Sequence, residues 1–141
     1  MSQRPRILYA VEPALSVDEF RRVLVESGLG SSRPVDDEER LASMLAGAGI
    51  IVTARLDQPG TPLVGVVRGM SDFAWSCYLS EVAVSSSAQG LGIGKGLLDE
   101  VRRQLGERVS IILLSVPEAV GFYERAGMTS MPNAFWYRRA H

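Results

Sequence analysis

Gln89-Gly90-Leu91-Gly92-Ile93-Gly94-Lys95-Gly96 places four glycines in seven positions. An apolar run ending in Val82-Ala83-Val84 precedes it, and Leu97, Leu98, Val101 and Leu105 follow at helical spacing. Strand, glycine turn and helix together suit an anion. Glycines let backbone N–H groups face a ligand without Cβ obstruction, and the helix N-terminus adds partial positive charge. Lys95 can add a point charge. Two familiar phosphate loops fail on the residues themselves. A Walker A loop needs Gly where Gln89 stands and Ser or Thr where Gly96 stands. A dinucleotide fingerprint started at Gly90 or Gly92 requires its last glycine at Lys95 or Leu97. What remains is Gln-x-x-Gly-x-Gly between a strand and an amphipathic helix, whose physics still points to phosphate, weighed against a glycine loop without a ligand.

Working outward, residues 78–84 (YLSEVAV) read as the strand before the turn. Residues 50–56 and 63–67 are β-branched runs joined by the two-proline turn 57–62, an antiparallel hairpin. Residues 6–10 suit a first strand. Ser16 and Glu19 form a capping box ahead of Phe20, Val23 and Leu24, and Glu19 is expected to reach back to the cap. Residues 26–34 are loop chemistry. The acidic run 36–39 opens a second helix that Gly49 ends. After the glycine helix, residues 109–116 (VSIILLSV) form a nearly all-apolar strand, expected to be buried on both faces. Pro117 opens a helix to about Ala126, with Gly127 as its cap. Residues 135–139 (FWYRR) are expected to be a final strand. The order is β-α-α-β-β-β-α-β-α-β. The expectation is one α/β (α+β) domain over residues 1–141, with a mixed, mostly antiparallel sheet.

Bulk properties agree. A chain of 141 residues, 46% hydrophobic and 22% charged, can bury a core without staples. With 15 basic and 16 acidic residues, nothing favours nucleic acid. One cysteine, Cys77, and one histidine, His141, support neither an internal disulfide nor a zinc site, so no metal is expected. No apolar run reaches the roughly 18 residues of a membrane span, and none at the N-terminus suits a signal peptide. No membrane association and a cytoplasmic location are the expectations.

Val82-Ala83-Val84 with residues 89–96 resembles motif A of the GNAT (Gcn5-related N-acetyltransferase) superfamily, whose signature is Gln/Arg-x-x-Gly-x-Gly/Ala. Residues 119–128 (AVGFYERAGM) resemble its second signature: an alanine, Phe-Tyr-Glu, then Gly and a large apolar residue. One helix and one strand separate the two, as in the superfamily. The resemblance covers residues 63 onward, and the first third only in layout. Within the superfamily, residues 78–84 and 135–138 look most like the small bacterial and plastid-type arylalkylamine (serotonin-type) acetyltransferases.

That resemblance implies a sheet of six to seven strands with about four helices and splayed central strands. It implies acetyl-CoA as co-substrate, without a metal, lying between the strand 78–84 and the strand 111–116. Backbone groups of Val82, Ala83 and Val84 would meet the pantetheine, the Val84 N–H the thioester carbonyl, and Gln89, Gly90, Leu91, Gly92, Ile93, Gly94, Lys95 and Gly96 the pyrophosphate. Tyr123 falls on the tyrosine that protonates the leaving thiolate, a role to be weighed against core packing. A protonated amine must lose a proton before attack. Glu81 is the candidate base, beside an outward-facing structural role, and strand alternation turns it away from Val82 unless a β-bulge intervenes. Ser80 could instead line a water path. Cys77 reads as a core residue. Trp75, Tyr78, Phe135 and Trp136 are candidates for an acceptor pocket, and Asp72 for binding a cationic amine. The implied activity is acetyl transfer to a primary amine of a small molecule. The alternatives are a non-catalytic acyl-CoA-binding module and an acetyltransferase of protein N-termini or lysines. The family also allows a homodimer through the last strands.

Overall fold

The structure is a computed structural model and describes residues 5–141. Its elements are β1 (Ile7–Val11), α1 (Val17–Ser27), α2 (Glu38–Ala46), β2 (Ile50–Leu56), β3 (Leu63–Ser71), β4 (Ser76–Val84), α3 (Ile93–Leu105), β5 (Ser110–Leu113) and α4 (Val120–Arg125). The strands form one sheet in the order β1-β2-β3-β4-β5. The first three pairings are antiparallel and β4 pairs with β5 in parallel, across the α3 connection. This is the mixed, mostly antiparallel α/β sheet that the sequence predicts.

Helices cover both faces. Phe20, Val23 and Leu24 of α1 and Leu41 and Leu45 of α2 pack on Ile51, Val66 and Ala83. On the other face Ile93, Leu97, Leu98 and Val101 of α3 pack on Val52, Ala54, Val67, Cys77 and Leu79. Adjacent strand residues such as Ile51 and Val52 thus serve opposite cores, as the two-residue period requires. Ser16 caps α1 by accepting from the Glu19 N–H. The Glu19 carboxylate reaches back to the cap, accepting from Ser16 Oγ at 3.5 Å, and is held more closely by Arg55, at 2.7 and 3.0 Å.

Three expectations need correction. Residues 135–139 form no strand, so the sheet has five strands among the described residues, not six or seven. Pro132 removes a ladder donor just ahead of them. Phe135 and Tyr137 are 97% and 104% exposed, Arg138 stacks on Trp136, and the His141 carbonyl accepts from Arg40 of α2. Second, β5 is only four residues long and, as the edge strand, is not buried on both faces: Ile112 and the following Leu114 are exposed. Third, α2 ends at a Gly47 cap, two residues before Gly49.

Candidate functional site

The ladder between β4 and β5 runs only from Ser76–Ser110 to Leu79–Leu113. Beyond Leu79, β4 continues to Val84 beside a strand that has left it. β4 and the edge strand β5 are therefore splayed, and the open edge of β4 carries free backbone groups. Which groups are free follows from the other side. The Ser85 N–H bonds to the Val64 carbonyl at 2.8 Å, and Ala83 lies opposite Val66. In an antiparallel pair, bonding positions alternate by two. Ala83 and Ser85 thus turn their N–H and C=O toward β3, and Val82 and Val84 turn theirs into the gap. The Gln89 side-chain amide already donates to the Val84 carbonyl from that side, at 3.4 Å.

The four glycines separate into two kinds. Gly90 and Gly92 have φ of +85° and +77°, the left-handed region that favours glycine, and a Cβ on either would meet no atom within 4 Å. They shape the turn, and the space over it is open. Gly92 is also the N-cap of α3, whose first amides lack a side-chain partner. Gly94 and Gly96 are helical and serve packing. A Cβ on Gly94 would lie 2.8 Å from the Phe122 ring, and one on Gly96 would overlap the Tyr9 phenol. Lys95 is drawn to Asp99 at 2.9 Å one turn on. Of the residues expected at the pyrophosphate, Gln89, Gly90, Gly92, Ile93, Gly94 and Lys95 line the adjoining cleft, as do Val82, Ala83 and Val84. Leu91 packs partly against the α3-side core and Gly96 against Tyr9.

That cleft is about 930 Å³ and is closed from across the gap by Val116, Ala119, Phe122 and Tyr123. A smaller cavity of about 240 Å³ lies between β5, α4 and residues 128–134. Tyr123 lines both, and it is the one residue that they share among those described. Phe122 holds it edge-on, ring centroids 5.0 Å apart at 71°. Burial pushes the Tyr123 phenol above its ordinary value, so it stays protonated across the neutral range.

Glu81 is not placed as a free base. A β-bulge is present: Arg68 pairs with Glu81 and Gly69 with Leu79, leaving Ser80 as the extra residue. It lies before Glu81, so Glu81 and Val82 still face opposite sides. The Glu81 side chain is 0% exposed. Its carboxylate accepts from Arg68 Nε and Nη2, from Arg33 Nε at 2.7 Å and from Ser80 Oγ at 2.7 Å. Burial alone would raise its pKa, but the Arg68 charge and hydrogen bonds, with Ser80 and Arg33, hold it below the usual carboxylate range. A group kept ionised with its lone pairs filled is a poor proton acceptor at neutral pH. Ser80 is likewise committed, its hydroxyl to Glu81.

Asp72 accepts from the N–H groups of Ala74, Trp75 and Ser76, and these hold its pKa down. It shapes the β3–β4 turn. Cys77 is buried, as expected. Trp75, Tyr78, Phe135 and Trp136 are exposed and line neither cavity. Two features escape the sequence reading: the far wall of the cleft, formed by Ser27, Gly28, Leu29, Ser31 and Ser32, and the Arg33 contact with Glu81, 48 residues away. No local pattern announces a pairing at that distance. Among the described residues no group of three His, Cys, Asp or Glu side chains could hold a metal ion, and no helix is long and apolar enough to cross a membrane.

The chain is similar to known proteins in the same sense. It is 31% identical over 96 residues to the uncharacterised N-acetyltransferase ycf52 of Porphyra purpurea, covering 64% of this chain and 55% of that protein. It is 31% identical over 105 residues to a chloroplastic serotonin N-acetyltransferase 2 of Oryza sativa subsp. japonica, covering 72% and 52%. The chain thus spans little more than half the length of these relatives. Its fold matches that of an acetyltransferase-like protein of Deinococcus radiodurans at a TM-score of 0.75 and 26% identity, covering 99% of this chain and 94% of the other. It also matches the Escherichia coli N-acetyltransferase YhbS in complex with CoA, at 0.68 and 18%, covering 90% and 71%. The profile of the acetyltransferase (GNAT) family matches residues 17–128, most of the sequence. The chain belongs to the GNAT acetyltransferase family.

Proposed function

We propose that this chain is an N-acetyltransferase domain that uses acetyl-CoA and a primary amine of a small molecule, with arylalkylamines the favoured class. One observation carries the reading: the splay of β4 from β5 turns the Val82 and Val84 backbone groups into a cleft that runs from the Gly90–Gly92 turn to Tyr123. The pantetheine amides pair with β4 as an added strand would, and the pyrophosphate rests on the turn and the first amides of α3. The family and the CoA complex of YhbS support this co-substrate. The serotonin N-acetyltransferase relative supports the acceptor class.

The amine nitrogen attacks the thioester carbonyl carbon. The Val84 N–H stabilises the developing oxyanion. The C–S bond breaks, Tyr123 gives its proton to the thiolate, and the proton that the nitrogen sheds on becoming an amide returns through water to the phenolate. A thiol near pKa 8.5 and a phenol near or above 10 are close enough for that transfer. An alkylamine with pKa about 10.4 is neutral in roughly one molecule in a few thousand at pH 7. Its proton leaves through water, because Glu81 is engaged. The compartment is the cytoplasm, and a homodimer would cover the outer edge of β5 and the aromatics at 135–137.

Thiol release from acetyl-CoA, measured across arylalkylamines, polyamines, amino acids and peptide amines, tests the proposal. Turnover with an arylalkylamine is expected. Folded protein that binds CoA and acetylates none of the panel would establish the non-catalytic acyl-CoA module instead. Turnover confined to peptide amines would move the acceptor class to proteins.

A further inference from the structure

The Arg33–Glu81–Arg68 cluster is the largest buried charged group that the proposed chemistry leaves unused. Its two guanidinium groups are not equivalent. Arg68 is buried and donates within the sheet to Glu81, and to the Met44 carbonyl at the end of α2. Arg33 is 23% exposed and comes from a different layer, the segment between α1 and α2. Its Nε donates to Glu81 and its Nη2 to the Ser80 carbonyl, both at 2.7 Å. Its Nη1 donates to the Ser32 carbonyl at 3.1 Å and to Ser32 Oγ at 3.0 Å.

Ser32 lies in the far wall of the cleft. Every other hydrogen bond formed by residues 28–33 stays within residues 24–35: Gly28 N–H to Val25, Ser31 N–H to Gly28, Arg33 N–H to Gly30, Val35 N–H to Arg33, and the serine hydroxyls to carbonyls three residues back. Among the described residues, only the Arg33 guanidinium bonds this wall to the sheet. The bulge supplies the socket. It leaves Ser80 without a cross-strand partner, and the Ser80 carbonyl lies beside the Glu81 carboxylate, which faces the α1–α2 side.

We propose that Arg33 is a positioning residue: a clasp that sets the distance between the wall at residues 28–32 and the cofactor strand β4, and with it the fit of the acceptor amine. This rests on the acetyl-transfer reading, which places the co-substrate on Val82, Val84 and the glycine turn and leaves the opposite wall for the acceptor. The clasp is separable from the fold, because Arg68 still neutralises Glu81 when Arg33 is gone.

The test uses the whole chain as wild type, Arg33→Gln and Arg33→Lys, in hydrogen exchange without ligand and in steady-state turnover of acetyl-CoA with tryptamine. In Arg33→Gln, the amides of residues 28–33 are expected to exchange roughly tenfold to a hundredfold faster, the loss of two charge-assisted bonds, with β4 unchanged. The kcat/KM for tryptamine falls about tenfold or more while the KM for acetyl-CoA stays within about twofold. Arg33→Lys, which keeps the charge and loses the fork, is intermediate in both. Wild-type exchange in Arg33→Gln overturns the clasp. Faster exchange with kcat and KM both unchanged overturns its role in acceptor fit. A wild-type protein inactive on tryptamine counts against the acceptor class, and the exchange arm still decides the clasp.

Discussion

The phenol of Tyr9 on β1 fills the space that a Cβ on Gly96 would occupy, so the last glycine of the turn sequence serves the packing of α3 on the sheet. Tyr9 packs against the α3-side core from the far strand of the order. Two effects oppose each other in Gly96→Ala. Replacing a helix-interior glycine gains about 1 kcal/mol of propensity. Overpacking against the ring costs about 1–3 kcal/mol. The clash involves the ring itself, so it prevails, and a net loss of about 1 kcal/mol is expected in urea unfolding. Tyr9→Phe removes the overlapping hydroxyl and should recover part of that loss in the double variant. CoA affinity of folded Gly96→Ala should match wild type.

Gly92 should behave in the opposite way. Its left-handed φ presents the first amides of α3 to open space, and no neighbour would resist a Cβ. An alanine there costs about 1–2 kcal/mol of backbone strain. Relief of that strain turns the amides away from the bound pyrophosphate. Calorimetric titration with CoA should show affinity lower by about tenfold in Gly92→Ala, a change of about 1.4 kcal/mol. Affinity equal to wild type would remove the turn from the binding site.

This division of the glycines marks how far the sequence could be read. Gly90 and Gly92 are legible because a turn needs them locally, and the helix that follows is legible from its apolar stripe. The splay was expected from family resemblance, and the structure places it where the β4–β5 ladder stops after Leu79. Long-range partners were not legible. Nothing in the spacing pairs Gly96 with Tyr9 or Glu81 with Arg33, because those contacts exist only once β1 and the α1–α2 segment have docked. Glu81 shows the consequence. A lone acid in an apolar strand suggests a base, but a carboxylate buried at that depth requires a cation, and the fold supplies two. Residues 135–139 have strand composition, yet composition cannot say whether an edge is available to pair with.

The charge on Glu81 should be visible in the pH dependence of stability. Its pKa is depressed in the folded protein. A depressed carboxyl pKa contributes stability that is full above the unfolded value, near 4.5, and is lost as pH falls through the folded value. Resistance to urea unfolding should therefore weaken progressively below about pH 4.5. Glu81→Gln removes that component of the slope. It also leaves Arg68 buried without its counter-charge, and the loss at pH 7 should be about 3–5 kcal/mol. A Glu81→Gln protein of wild-type stability at pH 7 with the same acid slope would contradict the pairing.

Tyr123 is the point at which chemistry and packing can be separated most cleanly. The phenol lines both the cofactor cleft and the smaller cavity beside β5, and Phe122 braces its ring. Tyr123→Phe keeps the ring and the packing and deletes only the proton donor. Loss of a general acid typically lowers turnover 10²–10⁴-fold, and about 10² is expected here because water can reach an open cleft. CoA affinity and melting temperature should stay at wild-type values. The pH profile supplies a second readout. Burial raises the Tyr123 pKa above the ordinary phenol value of 10.0, so the protonated form persists to at least that pH. Below it, kcat/KM should climb with pH as the free amine fraction grows, with no inflection in the carboxylate range if the proton leaves through water as proposed. An inflection near pH 5–7 that disappears in Glu81→Gln would restore Glu81 to the proton path. Turnover unchanged in Tyr123→Phe would reduce Tyr123 to a wall of the cleft.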